Sequence, residues 1–558
     1  MRPKKHSELD RLRAGRSELE NHYIDELVAG HISRREFVRR GSILGMSAPL
    51  LAAVLAGESP AAAIAKRSVI ARPAAGGTLR IASTTPAAAV NPLTVDDAGG
   101  LCMLNQTGEF LAFDSNLKLM LQPMLATKWS ANKNGTVWTF TLRSGVTFSN
   151  GAAMTADDVV YTFQQLSDPK NASNALSTFS GVLTPAGVKK INATTVEFTL
   201  EAPNGNFPYL VSSDNYNAII VPNGTDFSTW QSTFVGTGAF KLSSYTQGVG
   251  ASFVPNPHYW GAKPLLTGTS FKFYSSQQPM ILALEGNDVD VIAQFVPAGA
   301  TSLLNNSAYK IIKLKSSNHR ELSMRTDLAP FSDARVRQAV AYTLQRSAMV
   351  TALLDGYGSA ANDYPFAPSF PSTVSITQRT QNIKEAKALL AAAGHPHGFS
   401  TTLKTEIYEE IPELAQVIKA DAAKAGIDIT LDIETQDAYY GKATFGNSDW
   451  LDGAMSLVDY GSRGVPNVFL NAPLVSGGPW NAARFNNKTY DSLVKQYVAS
   501  VDLSTQRTIA KKIETLLLAE TPIVYPYWID GLTASTPNVS GLNPTSIAQL
   551  YLNSASIS

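Results

Sequence analysis

Side chains that most often carry covalent or metal chemistry are scarce in this sequence of 558 residues. It has seven histidines and a single cysteine, Cys102, which excludes an intramolecular disulfide and a metal site built from several cysteines. Cys102 lies in an apolar stretch, so we interpret it as a small core residue and not as a nucleophile. His395 and His397 flank a proline in a turn, and we interpret them as loop residues rather than as a pair of metal ligands.

Motifs of the common enzyme classes are also absent from the sequence. The chain contains no glycine-rich phosphate loop, no complete dinucleotide-binding fingerprint, no H-E-x-x-H or C-x-x-C motif and no G-x-S-x-G nucleophile turn. A catalytic triad need not be local in sequence, so an exported hydrolase stays an alternative, as does a structural or chaperone-like envelope protein. We expect a protein that is not an enzyme and that uses no metal and no cofactor.

Composition favours a folded, soluble protein with more than one core. The chain is longer than the roughly 250–300 residues at which single cores stop growing. A formal net charge of +1 argues against a nucleic-acid partner, since proteins that bind phosphate backbones concentrate lysine and arginine. A mean hydropathy of -0.05 argues against a polytopic membrane protein, and 23 Phe and 20 Tyr argue against disorder.

The first residues have the pattern of an export signal. Residues 1–40 are densely charged and end near the pair Arg34 and Arg35, and an uncharged stretch follows over 41–57. That stretch is shorter than the roughly 20 residues that span a bilayer and has the length of a signal-peptide core. The arrangement resembles a twin-arginine signal; the alternative is an N-terminal helix with a chance arginine pair.

A small-x-small sequence at Ala63-Ile64-Ala65 is typical of a signal-peptidase site. We therefore expect a signal peptide over 1–65, a linker over 66–77 and a periplasmic location. Because Cys102 is the sole cysteine and lies far from this site, a lipoprotein anchor is excluded.

Periodicity predicts the elements of the exported chain. Residues 78–82 read as a first strand, and the alternation of Trp138, Phe140 and Leu142 with polar residues indicates a half-buried strand. Thr155 and Asp158 form a capping box that predicts a helix from Val159.

The second half of the chain alternates between helix and strand patterns. The predicted elements are a helix from Asp333 to near Gly356, a helix from Asn382 to Gly394, strands over 401–405, 427–433 and 455–458, and helices over 412–425 and 438–444. Strand–helix–strand units at this spacing predict a parallel, right-handed α/β layer.

Several blocks, in order along the chain, resemble the dipeptide/oligopeptide-binding proteins (solute-binding family 5) of ABC importers. They are residues 122–129, 138–151 and 155–159 (P-x-L-A-x-x-W, F-x-L-R-x-G-V-x-F and T-A-x-D-V), 235–242 (G-T-G), 256–260 (N-P-x-Y-W), 284–290 (L-x-x-G-x-x-D) and 330–339 (P-F-x-D-x-R-V-R-x-A). Asn150 stands where the family usually has Asp.

The resemblance implies an α/β fold: a two-lobed periplasmic-binding-protein fold (type II-like, cluster C) with an extra subdomain in lobe one. It implies lobe one over 78–315 with the subdomain at about 110–230, lobe two over 316–519, and a return to lobe one over 520–558. It also implies a monomeric receptor, with a hinge between the lobes, that delivers a small ligand to the transmembrane subunits of an ABC permease.

The resemblance places Asp459 at the position where peptide-binding members pair a carboxylate with the peptide α-ammonium. Ligands of open α/β sheets bind beyond the carboxyl ends of strands, and Asp459 and Tyr460 follow the predicted strand 455–458. The alternative is that Asp459 caps the following turn.

Three further residues are expected at the ligand: Tyr460, Arg463 and Trp480. The family commonly continues D-Y-x-D-P, whereas this chain has Gly461-Ser462-Arg463, so the ligand is expected to be a peptide or modified peptide, with opines and oligosaccharides as alternatives. Arg463 could hold a ligand carboxylate or bind nearby loop carbonyls. Trp480 is the best candidate for a cavity wall among the aromatic residues near the expected cleft, which are Tyr439, Tyr440, Trp450, Tyr460, Trp480 and Trp528.

Overall fold

The computed structural model describes residues 76–114 and 120–558, together with Leu27. The predicted signal peptide and most of the predicted linker lie outside these residues. Residues 75–558 form one compact unit. Among the described residues, no helix combines the length and the apolar character needed to cross a bilayer.

The elements alternate between strands and helices along most of the chain. The strands are β1 (Thr78–Thr84), β2 (Ala112–Asp114), β3 (Leu121–Pro123), β4 (Ala126–Ala131), β5 (Val137–Leu142), β6 (Val188–Asn192), β7 (Thr195–Thr199), β8 (Phe240–Thr246), β9 (Gly250–Pro255), β10 (Gly268–Tyr274), β11 (Val291–Phe295), β12 (Lys310–Met324), β13 (Gly358–Ala360), β14 (Phe399–Glu406), β15 (Ile427–Glu434), β16 (Met455–Tyr460), β17 (Ile523–Val524), β18 (Tyr527–Ser535), β19 (Val539–Ser540), β20 (Asn543–Pro544), β21 (Leu550–Tyr551) and β22 (Ser556–Ile557). The helices are α1 (Ala98–Thr107), α2 (Ala156–Ser167), α3 (Leu176–Phe179), α4 (Phe207–Leu210), α5 (Gln277–Glu285), α6 (Thr301–Leu304), α7 (Ala334–Thr343), α8 (Arg346–Leu354), α9 (Ile383–Ala392), α10 (Ile411–Ala423), α11 (Gln436–Tyr440), α12 (Asp449–Asp452), α13 (Asn467–Asn471), α14 (Lys488–Ala499) and α15 (Leu503–Glu520).

One mixed sheet runs through both lobes in the order β15-β14-β16-β12-β18-β11-β1-β10-β9-β8. The long strands β12 and β18 form its centre and pair antiparallel along two stretches, with a register shift between Leu314 and Asn318. Both strands supply residues to two cores: Leu322 and Ile529 to the core that contains Leu457, and Ile311 and Leu532 to the core that contains Ala82. Strands β12 and β18 therefore connect the two lobes.

The second lobe contains the predicted parallel layer. β14 pairs in parallel with β15 on one side and with β16 on the other. Ile418 of α10 and Leu403 of β14 pack in one core, and Gly426, at φ 93°, begins the turn into β15. The predicted strands 401–405, 427–433 and 455–458 are confirmed, and their carboxyl ends lie at the same edge of the sheet.

Two predicted helices differ from the structure. The helix expected from Asp333 to near Gly356 is two helices, α7 and α8, because Leu344 and Gln345 leave the helical conformation and the Gln345 backbone N–H donates instead to Asp421 Oδ2 at 2.9 Å. The helix expected over 438–444 is the shorter α11, which lies earlier in the chain and ends at Gly441. Both differences arise from side-chain contacts or turn geometry that periodicity does not encode.

The capping box predicted at Thr155 is confirmed. The Thr155 backbone N–H donates to Asp158 Oδ2 at 2.6 Å, and Thr155 Oγ1 accepts from the backbone N–H of Asp157 at 3.2 Å. These bonds satisfy free donors at the start of α2. Helix α2 packs on a four-stranded sheet of order β4-β5-β7-β6, in which Trp138 and Phe140 point into the core as the alternation predicts.

Candidate functional site

Asp459 lies at the edge of the sheet where the parallel strands of the second lobe end. It is the penultimate residue of β16, which is flanked by β14 and β12. Its side chain is half-buried, and Asp459 Oδ1 accepts a hydrogen bond from Tyr440 Oη at 3.0 Å. Its Cα partner across the β12–β16 ladder is Arg320. The carboxylate is therefore in the position from which ligands of such sheets are bound.

A second carboxyl group lies directly behind Asp459. Glu406, the last residue of β14, is fully buried; its Oε1 accepts from Tyr440 Oη at 2.8 Å and its Oε2 accepts from Gln436 Nε2 at 2.7 Å. Burial raises the pKa of Glu406, and the neighbouring Asp459 raises it further, whereas the bonds from Gln436 and Tyr440 oppose the rise. Tyr440 thus bridges the two carboxyl groups.

The Arg320 guanidinium binds Glu409 and Glu410. Its guanidinium is buried and binds Glu410 through two contacts, from Nε to Oε1 at 3.0 Å and from Nη2 to Oε2 at 2.9 Å. Its Nη2 also donates to Glu409 Oε2 at 2.7 Å, and Tyr527 Oη donates to Glu410 Oε1 at 2.8 Å. Burial alone would lower the pKa of Arg320, but Glu410 and Glu409 raise it well above its ordinary value.

Acidic groups outnumber basic ones around Asp459. One guanidinium, that of Arg320, interacts with the carboxyl groups of Glu409, Glu410 and Asp459, and the Glu406 carboxyl group lies beside Asp459. Glu409 and Glu410 also line a cavity of about 550 Å³ together with Glu413 and Asp355, and Gln277 and Gln278 lie on the first-lobe side of that cavity. A region with this excess of carboxylates attracts a cationic group. The described residues contain no group of three or more His, Cys, Asp or Glu side chains arranged to hold a metal ion.

Tyr460 points away from Asp459. Successive residues of a strand face opposite sides of the sheet, and Tyr460 is buried with its ring stacked on His319 at 5.5 Å between ring centroids and 9° between planes. Phe469 and Trp480 also contact the ring, at 6.0 and 5.9 Å between centroids. Burial raises the pKa of Tyr460 well above its ordinary value. In this structure Tyr460 is part of the core behind the site.

Trp480 lines a different cavity from the one that Glu409 and Glu410 line. This cavity has a volume of about 940 Å³, and most of its wall is apolar. Residues from two distant parts of the chain form it, among them Leu176, Val182, Leu210, Val468, Val494 and Trp480. The Tyr460 ring lies between Trp480 and the sheet that carries Asp459. The structure therefore does not bring Trp480 and Asp459 together.

Arg463 is held by its own loop. Its Nη1 donates to the carbonyl oxygen of Ser462 at 2.9 Å and approaches that of Gly461 at 3.5 Å. Its backbone N–H donates to Ser317 Oγ at 2.7 Å, and Ser317 Oγ donates to its carbonyl oxygen at 2.8 Å. The next residue, Gly464, lies against the Asp214 carboxylate of the first lobe so closely that a Cβ would be 1.6 Å from Oδ2. In this conformation the guanidinium is directed at loop carbonyls.

The sequence analysis missed Glu406 and Arg320 and did not single out Tyr440 from the other aromatic residues. A usable signal existed for Glu406, because it directly follows the predicted strand 401–405 and the carboxyl ends of parallel strands meet at one edge. Arg320 lies on β12, which was not predicted as a strand, so its position beside Asp459 follows from tertiary pairing alone.

The sequence is similar to a family of solute-binding proteins and to several individual members of known name. Residues 120–480 match the family model described as bacterial extracellular solute-binding proteins, family 5 Middle. The chain is 27% identical to the periplasmic murein peptide-binding protein MppA of Escherichia coli K12, over 76% of this chain and 84% of that protein. It is 26% identical to heme-binding protein A of Haemophilus influenzae, over 75% of this chain and 81% of that protein.

A solved structure shows the same fold. The structure of HbpA2 from Haemophilus parasuis superposes with a TM-score of 0.76 at 22% identity, over 86% of this chain and 100% of that chain. This likeness confirms the predicted two-lobed α/β fold. Since the family model matches about two thirds of the chain, this protein belongs to the bacterial extracellular solute-binding proteins of family 5.

Proposed function

We propose that this protein is the receptor of an ABC importer, that it binds a short peptide through the free α-ammonium group of the peptide, and that Asp459 is the residue that pairs with this group. One observation carries the proposal: Asp459 is half-buried at the carboxyl ends of parallel strands, and the guanidinium of its cross-strand partner Arg320 is bound to Glu409 and Glu410. A half-buried carboxylate that forms no ion pair with the described residues suits an ammonium group brought by the ligand.

The acidic surroundings favour a peptide over the alternative ligands. An oligosaccharide has no cationic group for Asp459, and an opine would need a residue for its several carboxylates, whereas Arg463 is bound to the loop carbonyls of Gly461 and Ser462. Relatives named as murein peptide-binding and dipeptide-binding proteins support the peptide. The relative named heme-binding protein A shows that ligand names differ within the family.

The remaining parts of the proposal concern export and assembly. A twin-arginine signal over 1–65 directs the folded protein to the periplasm, where it acts as a monomer without a lipid anchor and without turnover of its ligand. Tyr460, Arg463 and Trp480 remain proposed ligand residues; Arg463 would have to leave the carbonyl of Ser462 in order to bind a ligand carboxylate.

The test compares two probes that differ at one group. Trialanine carries a free α-ammonium, and N-acetyl-trialanine does not. Trialanine is expected to raise the melting temperature by mass action and to give a measurable binding isotherm, and the acetylated peptide is expected to do neither. Binding of both peptides with equal affinity, or of an oligosaccharide instead, would refute the ammonium site. Chromatography of the recovered peptide distinguishes a receptor from a hydrolase, because a receptor returns trialanine intact.

A further inference from the structure

Tyr440 contacts two carboxyl groups with one hydroxyl. Its Oη lies 2.8 Å from Glu406 Oε1 and 3.0 Å from Asp459 Oδ1. A phenol has one proton and can donate one hydrogen bond. If both carboxyl groups were ionised, one of these short contacts would join two oxygens with no proton between them. Both contacts are hydrogen bonds when one of the two carboxyl groups carries a proton.

Resting on the proposed function, we propose that Glu406 and Asp459 hold one proton between them and that Glu406 carries it, so that the pair presents one negative charge to one ligand ammonium. Glu406 is thereby a residue that sets the charge of the site, although Asp459 is the one that meets the ligand.

Burial decides which of the two residues carries the proton. Glu406 is fully buried, whereas Asp459 is half-buried, and a charge costs more where less water reaches it. The raised pKa of Glu406 agrees with this assignment.

Among the described residues, no cation pairs directly with Glu406 in the structure. Its Oε2 accepts from the neutral amide of Gln436, and its Oε1 lies against the neutral hydroxyl of Tyr440. The register partner of Glu406 on β15 is Glu434, whose carboxylate is bound by Lys404. The elements packed against the pair also carry other titratable or charged groups, which include Arg320, His319, Glu321, Tyr408, Tyr439, Asp437, Asp432 and Asp449.

The proposal predicts opposite results for two isosteric substitutions. Glu406→Gln reproduces the protonated carboxyl group, since an amide both accepts and donates, so the affinity for trialanine at neutral pH should stay within about threefold of the wild type. Asp459→Asn removes the single charge and should weaken binding by about a hundredfold or more. Glu385→Gln, at an exposed position on α9, is the matched control and should change nothing.

A measurement without ligand tests the proton itself. In protein labelled with ¹³C at glutamate side-chain carboxyl groups, the resonance missing from Glu406→Gln identifies Glu406. We expect this resonance to titrate at higher pH than those of exposed glutamates and to move to lower pH in Asp459→Asn, which removes the neighbouring negative charge. Titration of Glu406 together with the exposed glutamates would overturn the proposal.

The binding measurements on the variants and the ¹³C titration together distinguish a failure of this inference from a failure of the proposed function. Equal loss of trialanine affinity in Glu406→Gln and Asp459→Asn would overturn the inference and leave the peptide receptor intact. If trialanine did not bind the wild type, the peptide assignment would fail, and the ¹³C titration alone would decide whether the carboxyl pair shares a proton.

Discussion

Arg320 and Asp459 are Cα partners across the β12–β16 ladder, yet the Arg320 guanidinium is bound to Glu410 and Glu409. This commitment leaves the Asp459 carboxylate facing a Tyr440 hydroxyl instead of a cation. Glu410 also accepts from Tyr527 of β18, so both strands that connect the lobes hold the loop before α10. Because Arg320 is bound to Glu409 and Glu410, the Asp459 carboxylate can pair with a cationic group of a ligand.

Removal of Arg320 should destabilise the second lobe. Arg320→Met leaves Glu410 and Glu409 without their buried counter-charge, and the loss of one partner of a buried ion pair costs about 3–5 kcal/mol. Urea unfolding at pH 7 measures the loss. Arg335→Met is the control, because Arg335 pairs with Asp333 at the surface and its removal should leave the midpoint almost unchanged. Equal midpoints for the two variants would contradict the structural role of Arg320.

The stability of the protein should fall as pH rises, because of Glu514. This residue of α15 is fully buried, and neither of its carboxyl oxygens has a hydrogen-bond partner among the described residues. Burial raises the pKa of Glu514 to about 8. The folded state therefore binds a proton that the unfolded state releases above about pH 4.5, so the contribution of Glu514 to stability is fully present below that pH and is lost as pH rises toward 8.

Glu514→Gln should remove this pH dependence. The amide stays neutral, so the variant should exceed the wild type in unfolding free energy at pH 8, by on the order of 3 kcal/mol, and match it near pH 4.5. Urea unfolding at both pH values measures the difference. If the wild type became more stable than the variant as pH rose from 4.5 to 8, the raised pKa of Glu514 would be contradicted.

Ligand binding should bring the lobes together. Strands β12 and β18 connect the lobes, and the register shift between Leu314 and Asn318 marks an irregular point in their pairing at which a hinge could form. Small-angle scattering should show a smaller radius of gyration after trialanine is added at a concentration well above its dissociation constant. An unchanged radius at saturation would instead indicate a rigid, preformed pocket.

Export should depend on the arginine pair. Replacement of Arg34 and Arg35 by lysine should retain the protein in the cytoplasm, because the twin-arginine pathway reads the arginine side chains themselves. Cell fractionation measures the distribution, and mass spectrometry of the exported wild type should place its first residue near Lys66. Normal export of the double variant would show that the general secretory route is used.

The sequence predicted the parts of the fold that local patterns determine. The strands of the second lobe and the capping box at Thr155 follow from periodicity and from a four-residue motif, and the structure confirms them. The break between α7 and α8 was missed because it depends on a hydrogen bond from Gln345 to Asp421, a residue distant in sequence. The lobe boundaries remain a prediction.

Only the part of the candidate site that local sequence patterns determine was predictable. Asp459 directly follows the predicted strand 455–458, whereas the neighbouring groups come from β12, β14 and α11. The sequence analysis expected Tyr460 at the ligand beside Asp459 and did not apply the alternation of a strand; in the structure the Tyr460 ring stacks on His319. The bond from Arg463 to Ser462 depends on loop geometry, which no sequence period encodes.

Calorimetric titration of trialanine into the wild type and into Asp459→Asn tests the central claim most directly. The substitution keeps the shape of the side chain and removes its charge, so a buried ammonium would lose its partner at a cost of about 3–5 kcal/mol. The account predicts an affinity loss of roughly two to three and a half orders of magnitude, with little change in the stability of the ligand-free protein. An affinity change of less than about threefold would show that Asp459 caps the following turn, where asparagine serves almost equally well, and would contradict the ammonium site.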